Sequence, residues 1–408
     1  MYSVDVAGNR GEDKILNITV DKRETGAYVT AADELISPNG DGFKEEEVLS
    51  VKTLLNDGIK NWTFNVIAKD GSSVKSWNGG ENTRVPESFV WNGKDSEGND
   101  CEGQYYGKIT IDYAKGNHVE SQSTPFVVTS TAPILSVISS ANPDEFEYFS
   151  PDNDGYEDEL DMLLYAKTLA GVKSWSLVVK DSHNKSKTFW MTSGKSMPAD
   201  SSGENLYRAS INWDGRGNDG EIVMSAEDYP YEFTVTDNLG MTSVYKGIIP
   251  VDVLLVDDNG RLKMQVPSII FRGDAADFKL TGETDDKGKV IARSSLTQAQ
   301  RDNNVRVLKR VAQVLNKFSG YKVTVVGHAN PMEDYNGPEE NNPEEVQLKE
   351  LSLQRAQFVK KWLVENGKIS EARLSTEGKG GLETIANRKD TATNWKNRRV
   401  EFILTEKE

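Results

Sequence analysis

The clearest alternation of hydrophobic and polar positions lies between Tyr321 and Glu401. It opens with YKVTVVGHAN, an alternating run that predicts a strand ending at a glycine. LSLQRAQFVKKWLVENG follows, a pattern that predicts a helix with a glycine stop. Its apolar positions and its stop are Leu351, Ala356, Val359, Leu363, Val364 and Gly367. NWKNRRVEFIL closes the stretch as a polar turn that feeds a second strand.

The segment upstream completes a compact unit of mixed secondary structure. In LKMQVPSIIFRGDAADF, Val266, Ile269 and Phe271 predict the first strand, and the polar TGETDDKGKVIARSS predicts a surface insertion. LTQAQRDNNVRVLKRVAQVLNKFSG then predicts a helix that packs on the sheet and stops at Gly320. Its apolar face comprises Val305, Leu308, Val311, Ala312, Leu315 and Phe318. These elements together predict an α/β sandwich, in which a mixed sheet carries helices on one side.

The chain before about Val253 repeats itself. SPNGDGFKEEEV returns as SPDNDGYEDEL, NWTFNVIAKD as SWSLVVKD, WNGKDSEGND as WDGRGNDGE, and GQYYGKITIDYAKGN as DYPYEFTVTDNLG. Four motifs in the same order predict a duplicated domain. Each copy consists of short alternating runs separated by Gly, Asn, Asp and Pro, which is the pattern of a β-sandwich.

Four tryptophans of the repeats invite two readings. Trp62 and Trp175 head alternating runs, whereas Trp91 and Trp213 precede glycine-rich turns. Core packing and turn anchoring are preferred over a carbohydrate-stacking surface, which needs several aromatic side chains on one solvent face.

The repeats and the last unit divide the chain into four segments. We predict a closing hairpin of an upstream repeat at residues 1–24, β-sandwiches at 25–131 and 132–255, and the α/β unit at 260–408. The hairpin is expected to cover apolar surface of the next domain with Val4, Val6, Ile15 and Ile18. TSTAP at residues 129–133 and VDDNGR at 256–261 are the expected junctions, and their shortness predicts closely spaced domains.

Composition narrows the function classes. The 408 residues carry a formal net charge of −16, which argues against nucleic acid or an anionic membrane surface as the main partner. The single cysteine, Cys101, permits no internal disulfide, and no apolar run is long enough for a transmembrane helix. The N-terminus lacks a signal-peptide pattern, so an exported protein with this sequence is expected to be a mature or truncated form.

Catalytic motifs are missing from the sequence. The three histidines, His118, His183 and His328, fall in widely separated elements, and no GxSxG, HExxH or P-loop motif occurs. A non-enzymatic protein is therefore expected, with an unrecognised hydrolase as the alternative.

Three motifs of the last unit carry a family resemblance. The GH pair at residues 327–328, LSxxRA at 351–356 and NRRVE at 397–401 resemble the OmpA-like C-terminal domain, in divergent form. The resemblance implies a non-catalytic module that holds peptidoglycan from the periplasmic side, in a periplasmic or outer-membrane-associated protein. The chain is similar to multi-domain OmpA-like envelope proteins of spirochaetes. The repeats resemble immunoglobulin-like (Ig-like) modules of the FlgD and gliding-motility type, which implies a structural spacer.

The resemblance also implies a pocket for diaminopimelate, and the chain departs from it. The family's arginine is Arg355, and the terminal motif is intact as Asn397, Arg398 and Arg399. The family's aspartate is Asn330 here, and its asparagine is Leu348. Loss of the carboxylate that pairs with an ammonium predicts weak or lost binding to diaminopimelate-type peptidoglycan.

Two other outcomes stay open for the pocket. Glu333 or Asp334, in the long acidic loop PMEDYNGPEENNPEEVQ, restores a negative charge for another diamino acid such as ornithine, or this loop is simply solvated. Arg355 retains a ligand role, or it forms a structural ion pair. The chain is accordingly an envelope tether or a periplasmic protein interaction scaffold.

Two acidic turns are candidate calcium loops. SPNGDGFKEEE offers Asn39, Asp41 and Glu45, and SPDNDGYEDE offers Asp152, Asp154 and Asp158, all oxygen ligands around glycine. The same residues make tight turns without any ion, and no other cofactor is expected.

Overall fold

The computed structural model describes residues 2–12, 14, 20–142, 147–153, 155, 157–257, 261–266, 269–331 and 343–406. The N-terminal part is an antiparallel hairpin of β1 (Tyr2–Val4) and β2 (Arg10–Glu12), which joins no other sheet of the described chain. Val4 is 56% exposed and Val6 is fully exposed. The expectation that these two valines cover a neighbouring domain is therefore wrong, because the hairpin turns them to solvent. Ile15 and Ile18 lie outside the described residues.

Residues 27–128 form a first pair of sheets around one core, called here the first sheet pair. β3, β5 and β8 form one sheet, and the other has the order β4-β11-β9-β6-β7 with β10 added on β9. The strands are β3 (Ala27–Ala31), β4 (Leu35–Ile36), β5 (Glu47–Thr53), β6 (Ile59–Ala68), β7 (Ser73–Gly79), β8 (Ser88–Trp91), β9 (Gly103–Tyr113), β10 (His118–Gln122) and β11 (Phe126–Val128). Leu49 and Phe89 from the first sheet meet Phe64 and Ile109 from the second in the shared core.

Residues 134–250 form the second sheet pair in the same manner. Its sheets have the orders β12-β13-β16 and β15-β14-β17-β18. The strands are β12 (Ile134–Ser139), β13 (Leu160–Lys167), β14 (Val172–Lys180), β15 (Thr188–Gly194), β16 (Leu206–Trp213), β17 (Asp228–Asp237) and β18 (Thr242–Pro250). The two sheets again share one core, which includes Leu164 and Trp213 from one sheet and Leu177 and Phe233 from the other.

The four tryptophans of the repeats occupy matching places in the two sheet pairs. The indole Nε1 of Trp91 donates to Lys94 O at 2.7 Å, and that of Trp213 donates to Arg216 O at 2.8 Å. Both therefore anchor the turn that follows them, as predicted. Trp62 and Trp175 each lie over a glycine of the neighbouring strand, Gly79 and Gly194 respectively, where a Cβ atom would come within 2.3 and 2.5 Å of the indole nitrogen. Trp62 is buried, and Trp175 is half-buried against the second core.

The C-terminal unit combines a five-stranded mixed sheet with two helices. Its elements are β19 (Leu255–Asp257), β20 (Leu262–Val266), α1 (Gln298–Lys317), β21 (Tyr321–Gly327), α2 (Pro343–Glu365), β22 (Leu374–Gly378) and β23 (Val400–Glu406). The sheet order is β19-β20-β23-β21-β22, and only β21 and β22 run parallel among these described strands. Alternate residues of the strands, such as Val323, Val325 and Phe402, face both helices in one core.

Three details of this unit differ from the pattern-based predictions. The first long strand ends at Val266, so Ile269 and Phe271 are not part of it. Helix α2 begins at Pro343, inside the predicted acidic loop, because proline is favoured at the first helical position. The predicted junction at residues 256–261 instead contributes to the sheet, since Val256 and Asp257 pair with Lys263 and Leu262.

Helix α1 joins the second sheet pair to the C-terminal unit. Arg310 forms a two-pronged ion pair with Asp252, with Nε 2.6 Å from Oδ1 and Nη2 against Oδ2. Arg306 Nη2 lies 3.0 Å from Asp228 Oδ2. Ala226 joins the core of the C-terminal unit. The second sheet pair is therefore packed directly on the unit that follows it.

Candidate functional site

Close helix–strand packing sets the position of the GH pair. A Cβ on Gly327 would lie 2.0 Å from the backbone oxygen of Ser352 in α2, so only glycine admits this approach. The buried Ser352 hydroxyl accepts from Gly380 N at 3.0 Å and donates to Lys349 O at 2.9 Å. These contacts hold the LSxxRA turn of α2 against the end of β21, and Arg355 follows on the same helix.

A cavity of about 230 Å³ opens beside Arg355. Its walls are apolar on one side and basic on the other, and within the described chain no carboxylate lines it. The lining residues are His183, Ile269, Ile270, Phe271, Gln300, His328, Arg355, Trp395, Arg398 and Arg399. We call this cavity the arginine pocket.

Arg355 lies in the floor of the arginine pocket and is 8% exposed. Its Nε donates to the backbone oxygen of Ala275 at 3.2 Å, and its guanidinium lies 5.1 Å from the centre of the Phe271 ring. No carboxylate of the described residues forms an ion pair with it, so the structural ion pair considered from the sequence is not found there. Burial and the nearby charge of Arg398 lower the pKa of Arg355 to about 10 against a smaller opposing effect of the Asp274 carboxylate, which leaves Arg355 charged at neutral pH.

Arg398 supplies a second positive charge at the mouth of the pocket. It is exposed, and partial burial lowers the pKa of its guanidinium. The structure gives it no ion-pair partner among the described carboxylates. Asp274 attracts Arg355 but forms no ion pair with it in the described chain, so the two like charges held close together favour an anion between them.

The neighbouring Arg399 has a different role. Its Nε donates to Glu401 at 2.7 Å, and Glu401 also contacts Lys263 at 2.8 Å and His328 Nε2 at 3.3 Å. Burial alone would raise the pKa of Glu401, but hydrogen bonds from His328 and Lys263 and the charge of Arg399 lower it to about 2. Arg399 lines the pocket but is neutralised within this buried network.

Three predicted site residues lie outside the pocket lining. Both polar atoms of the Asn330 side chain form hydrogen bonds within the protein. Its Oδ1 accepts from Asn397 Nδ2 at 2.8 Å, and its Nδ2 donates to Pro331 O at 3.0 Å. Asn397 is fully buried and accepts from the backbone of Ile385 and Ala386. Leu348 is half-buried on α2. Glu333 and Asp334 lie outside the described residues.

Several functional positions were missed by sequence reasoning. His183 and His328, which lie in separate elements, line the same pocket, and Trp395 forms part of its wall. Asn304 is completely buried in α1 and bonds to both the nitrogen and the oxygen of Ile270, at 2.9 and 2.6 Å. Asn304 lies on the apolar face of the predicted helix, and a polar residue at such a position could have indicated a buried hydrogen bond of this kind.

The two acidic turns use their side chains within the loop. Glu45 accepts from Gly40 N and Gly42 N, and Asp158 accepts from Asn153 N and Gly155 N. Asp41 accepts from Phe43 N and from the Asn39 amide, and Asp152 accepts from Leu255 N. Asp154 lies outside the described residues. No group of three or more metal-binding side chains occurs in the described chain.

Calcium is accordingly expected to give no heat and no shift in melting temperature when titrated into the protein. The carboxylates that would bind the ion already accept hydrogen bonds from backbone N–H groups, which stabilise the turns without a metal. Calorimetric titration checks this, with Asp41→Asn and Asp158→Asn as variants. Saturable heat that both substitutions remove would contradict it.

Residues 276–399 form an OmpA family domain. Known structures with similarity include a MotB-like protein from Desulfovibrio vulgaris, at 21% identity over 38% of this chain and 78% of that chain, with a TM-score of 0.27. The periplasmic domain of Helicobacter pylori MotB is 17% identical over 38% and 79%, with a TM-score of 0.27. The cell wall anchor of the T6SS from Pseudomonas aeruginosa is 22% identical over 36% and 82%, with a TM-score of 0.25. No curated protein matches the chain.

The family match supports the expectation that the last unit is OmpA-like. An OmpA-like, peptidoglycan-associating domain is consistent with a structural protein of the cell envelope. Among the described residues, no helix is both long and apolar enough to cross a membrane. The immunoglobulin-like identity of the two sheet pairs and the spirochaete similarity stay predictions.

Proposed function

We propose that the chain is a non-enzymatic structural protein of the cell envelope, periplasmic or associated with the outer membrane, whose OmpA domain binds diaminopimelate-type peptidoglycan weakly or not at all. The two sheet pairs act as immunoglobulin-like spacer modules between this domain and another envelope component. Residual recognition uses Arg355 and Arg398, whose guanidinium groups bind a carboxylate of the peptide stem.

One observation carries the proposal: the described lining of the pocket contains two arginines that form no ion pair and no acidic side chain, and Asp274 acts on Arg355 only from outside this lining. A diaminopimelate side chain ends in both a carboxylate and an ammonium. The arginines suit the carboxylate, whereas the amide of Asn330 is bonded to Asn397 and brings no charge to the ammonium. Loss of each polar partner weakens binding by about 1–3 kcal/mol, so the two changes together lower affinity by about two decades or more.

The unpaired arginines also favour a second candidate, a functional tether that recognises a different stem. Both guanidiniums remain charged at neutral pH and lie at one cavity. A protein scaffold that has lost all ligand binding does not need them there, since a buried and unpaired cation is unfavourable. The tether therefore ranks above the pure scaffold.

Pull-down of the full chain on purified diaminopimelate-type sacculi tests the proposal. We expect little retention of the wild type and stronger retention of the double variant Asn330→Asp with Leu348→Asn. The new aspartate still accepts from Asn397 and adds the missing charge, although it loses the bond that the Asn330 amide donates to Pro331 O.

Arg355→Ala in the double-variant background is expected to remove this gain. Arg84→Ala is the matched control, because Arg84 is an exposed arginine on the first sheet pair. Tight binding of the wild type that Arg355→Ala abolishes would show that the two substitutions matter less than proposed.

A further inference from the structure

The second sheet pair contributes a residue to the arginine pocket. His183 lies on the connection between β14 and β15, and its ring stacks on Trp395 with ring centres 3.4 Å apart and planes 19° apart. Both rings line the same cavity as Arg355 and Arg398. The site is thus built from two units of the chain.

The loop that carries His183 is held in place by its own hydrogen bonds. Asp181 Oδ1 accepts from the backbone nitrogens of His183 and Asn184 at 2.9 and 2.7 Å. On the other side, Trp395 Nε1 donates to Ala392 O at 3.0 Å. The His183 ring itself is held by a 3.0 Å hydrogen bond between its Nδ1 and the Ser182 hydroxyl and by Glu227, 3.7 Å from its Nε2, so contacts besides the stacking position both rings of this wall.

This loop is longer than the corresponding connection in the first sheet pair. The corresponding connection in the first sheet pair, between β6 and β7, contains four residues, 69–72. The connection between β14 and β15 contains seven, residues 181–187. The longer loop occurs in the copy that touches the OmpA domain, and its extension carries His183.

The stacked pair also influences which charge a ligand group can carry beside it. Burial lowers the pKa of His183 and favours its neutral ring, while the carboxylate of Asp181 acts in the opposite direction and the ammonium of Lys396 adds a smaller lowering. The Nε2 atom of His183 also lies 3.7 Å from Oε1 of Glu227, but burial raises the pKa of Glu227 to about 8, so that this carboxyl brings little negative charge to the wall at pH 7. Trp395 has His183 on its ring and the Lys396 ammonium 5.9 Å from its centre, which leaves little attraction for a further cation. Arg355 and Arg398 repel a ligand ammonium as well.

We propose that His183 completes the arginine pocket as a specificity-determining residue, and that the pocket selects a peptide carboxylate whose adjacent side chain is uncharged. Arg355 and Arg398 hold the carboxylate, and the apolar wall at Ile270 and Phe271 together with the His183–Trp395 pair encloses the neighbouring uncharged group. This inference rests on the proposed carboxylate recognition and adds the ligand class and the residue from the second sheet pair.

The test uses the full chain and three probes that differ by one group. Acetyl-alanyl-alanine carries a free carboxylate, its C-terminal amide lacks that charge, and acetyl-alanyl-lysine adds an ammonium. With only three histidines in the chain, NMR of histidine-labelled protein follows each imidazole separately. The first probe is expected to shift the ring signals of His183 but not those of His118. The lysine probe binds more weakly, and the amide does not bind.

Affinity of variants for acetyl-alanyl-alanine separates the contributions. His183→Ala is expected to weaken binding about three- to tenfold because one aromatic contact is lost, whereas His183→Phe keeps the stacked wall and binds as the wild type does. His118→Ala is the control, since His118 is exposed and pairs with Asp112 on the first sheet pair.

Three results would overturn the inference: unchanged affinity in His183→Ala, binding of the lysine probe as tight as that of the alanine probe, or no binding of either carboxylate. Loss of binding in Arg355→Ala with no effect of His183→Ala would reject the role of His183 and leave the proposed function standing. Failure of the proposed function shows instead as tight retention on diaminopimelate-type sacculi.

Discussion

Gly327→Ala is expected to destabilise the OmpA domain by at least about 3 kcal/mol. The added Cβ would lie 2.0 Å from the Ser352 oxygen and 2.8 Å from its carbonyl carbon, and both are backbone atoms of α2. No side-chain rotation relieves such a contact, so the helix must move away from β21. Calorimetry or denaturant unfolding of the full chain measures the effect as a shift of the transition in which the OmpA domain unfolds.

Gly320→Ala is the matched control for this substitution. Gly320 precedes the same strand and does not have a positive φ, and a Cβ added to it would meet no neighbouring atom within 4 Å. We expect the stability of this variant to stay within about 0.5 kcal/mol of the wild type. Similar stability of both variants would mean that α2 does not pack this closely on β21. Because α2 carries Arg355, Gly327→Ala should also displace the pocket.

The periodic elements of the OmpA domain were predictable from sequence. The strand Tyr321–Gly327, the body of the helix around Ala356 and the final strand from Val400 were confirmed, because alternation and helical spacing encode which face is buried. The helix α1 was also predictable, and Thr297 begins it with a capping box formed with Gln300.

The first strand shows why such patterns fail locally. Ile269 and Phe271 alternate as a strand requires, yet the backbone of Ile270 bonds to the Asn304 side chain instead of a neighbouring strand. The buried Asn304 amide thus takes the place of the hydrogen bonds to a neighbouring strand, and the spacing of hydrophobic residues gives no information about such a contact. The result turns an expected strand into the apolar wall of the pocket.

The pocket itself was only half predictable. Arg355 and Arg398 followed from family motifs, and both line the cavity. The place of His183 in the pocket could not be predicted from motifs. Its contact with Trp395 depends on how the second sheet pair packs on the C-terminal unit through Arg310, Arg306 and their aspartate partners. The longer loop at residues 181–187 was the one local sign.

Glu401→Gln is expected to have the second large effect, a loss of about 3–5 kcal/mol near neutral pH. Glu401 is 2% exposed and pairs with the buried Arg399 and the half-buried Lys263, so its amide would remove the counter-charge of Arg399 and weaken the contact with Lys263. Its pKa, lowered from the ordinary 4.5 to about 2, corresponds to about 3 kcal/mol of stabilisation by the ionised form.

The pH dependence of unfolding provides the decisive measurement for Glu401. Because its pKa is lower in the folded protein, this stabilisation is complete above about pH 4.5 and is lost as the pH falls towards 2. The difference in unfolding free energy between wild type and Glu401→Gln should therefore shrink across that interval. Glu406→Gln, an exposed position on the same strand, is the control and should show a small difference at every pH. A difference for Glu401→Gln that stays constant from pH 6 to pH 2 would contradict the ionised network, since an uncharged Glu401 would make the same contacts at both ends of the range.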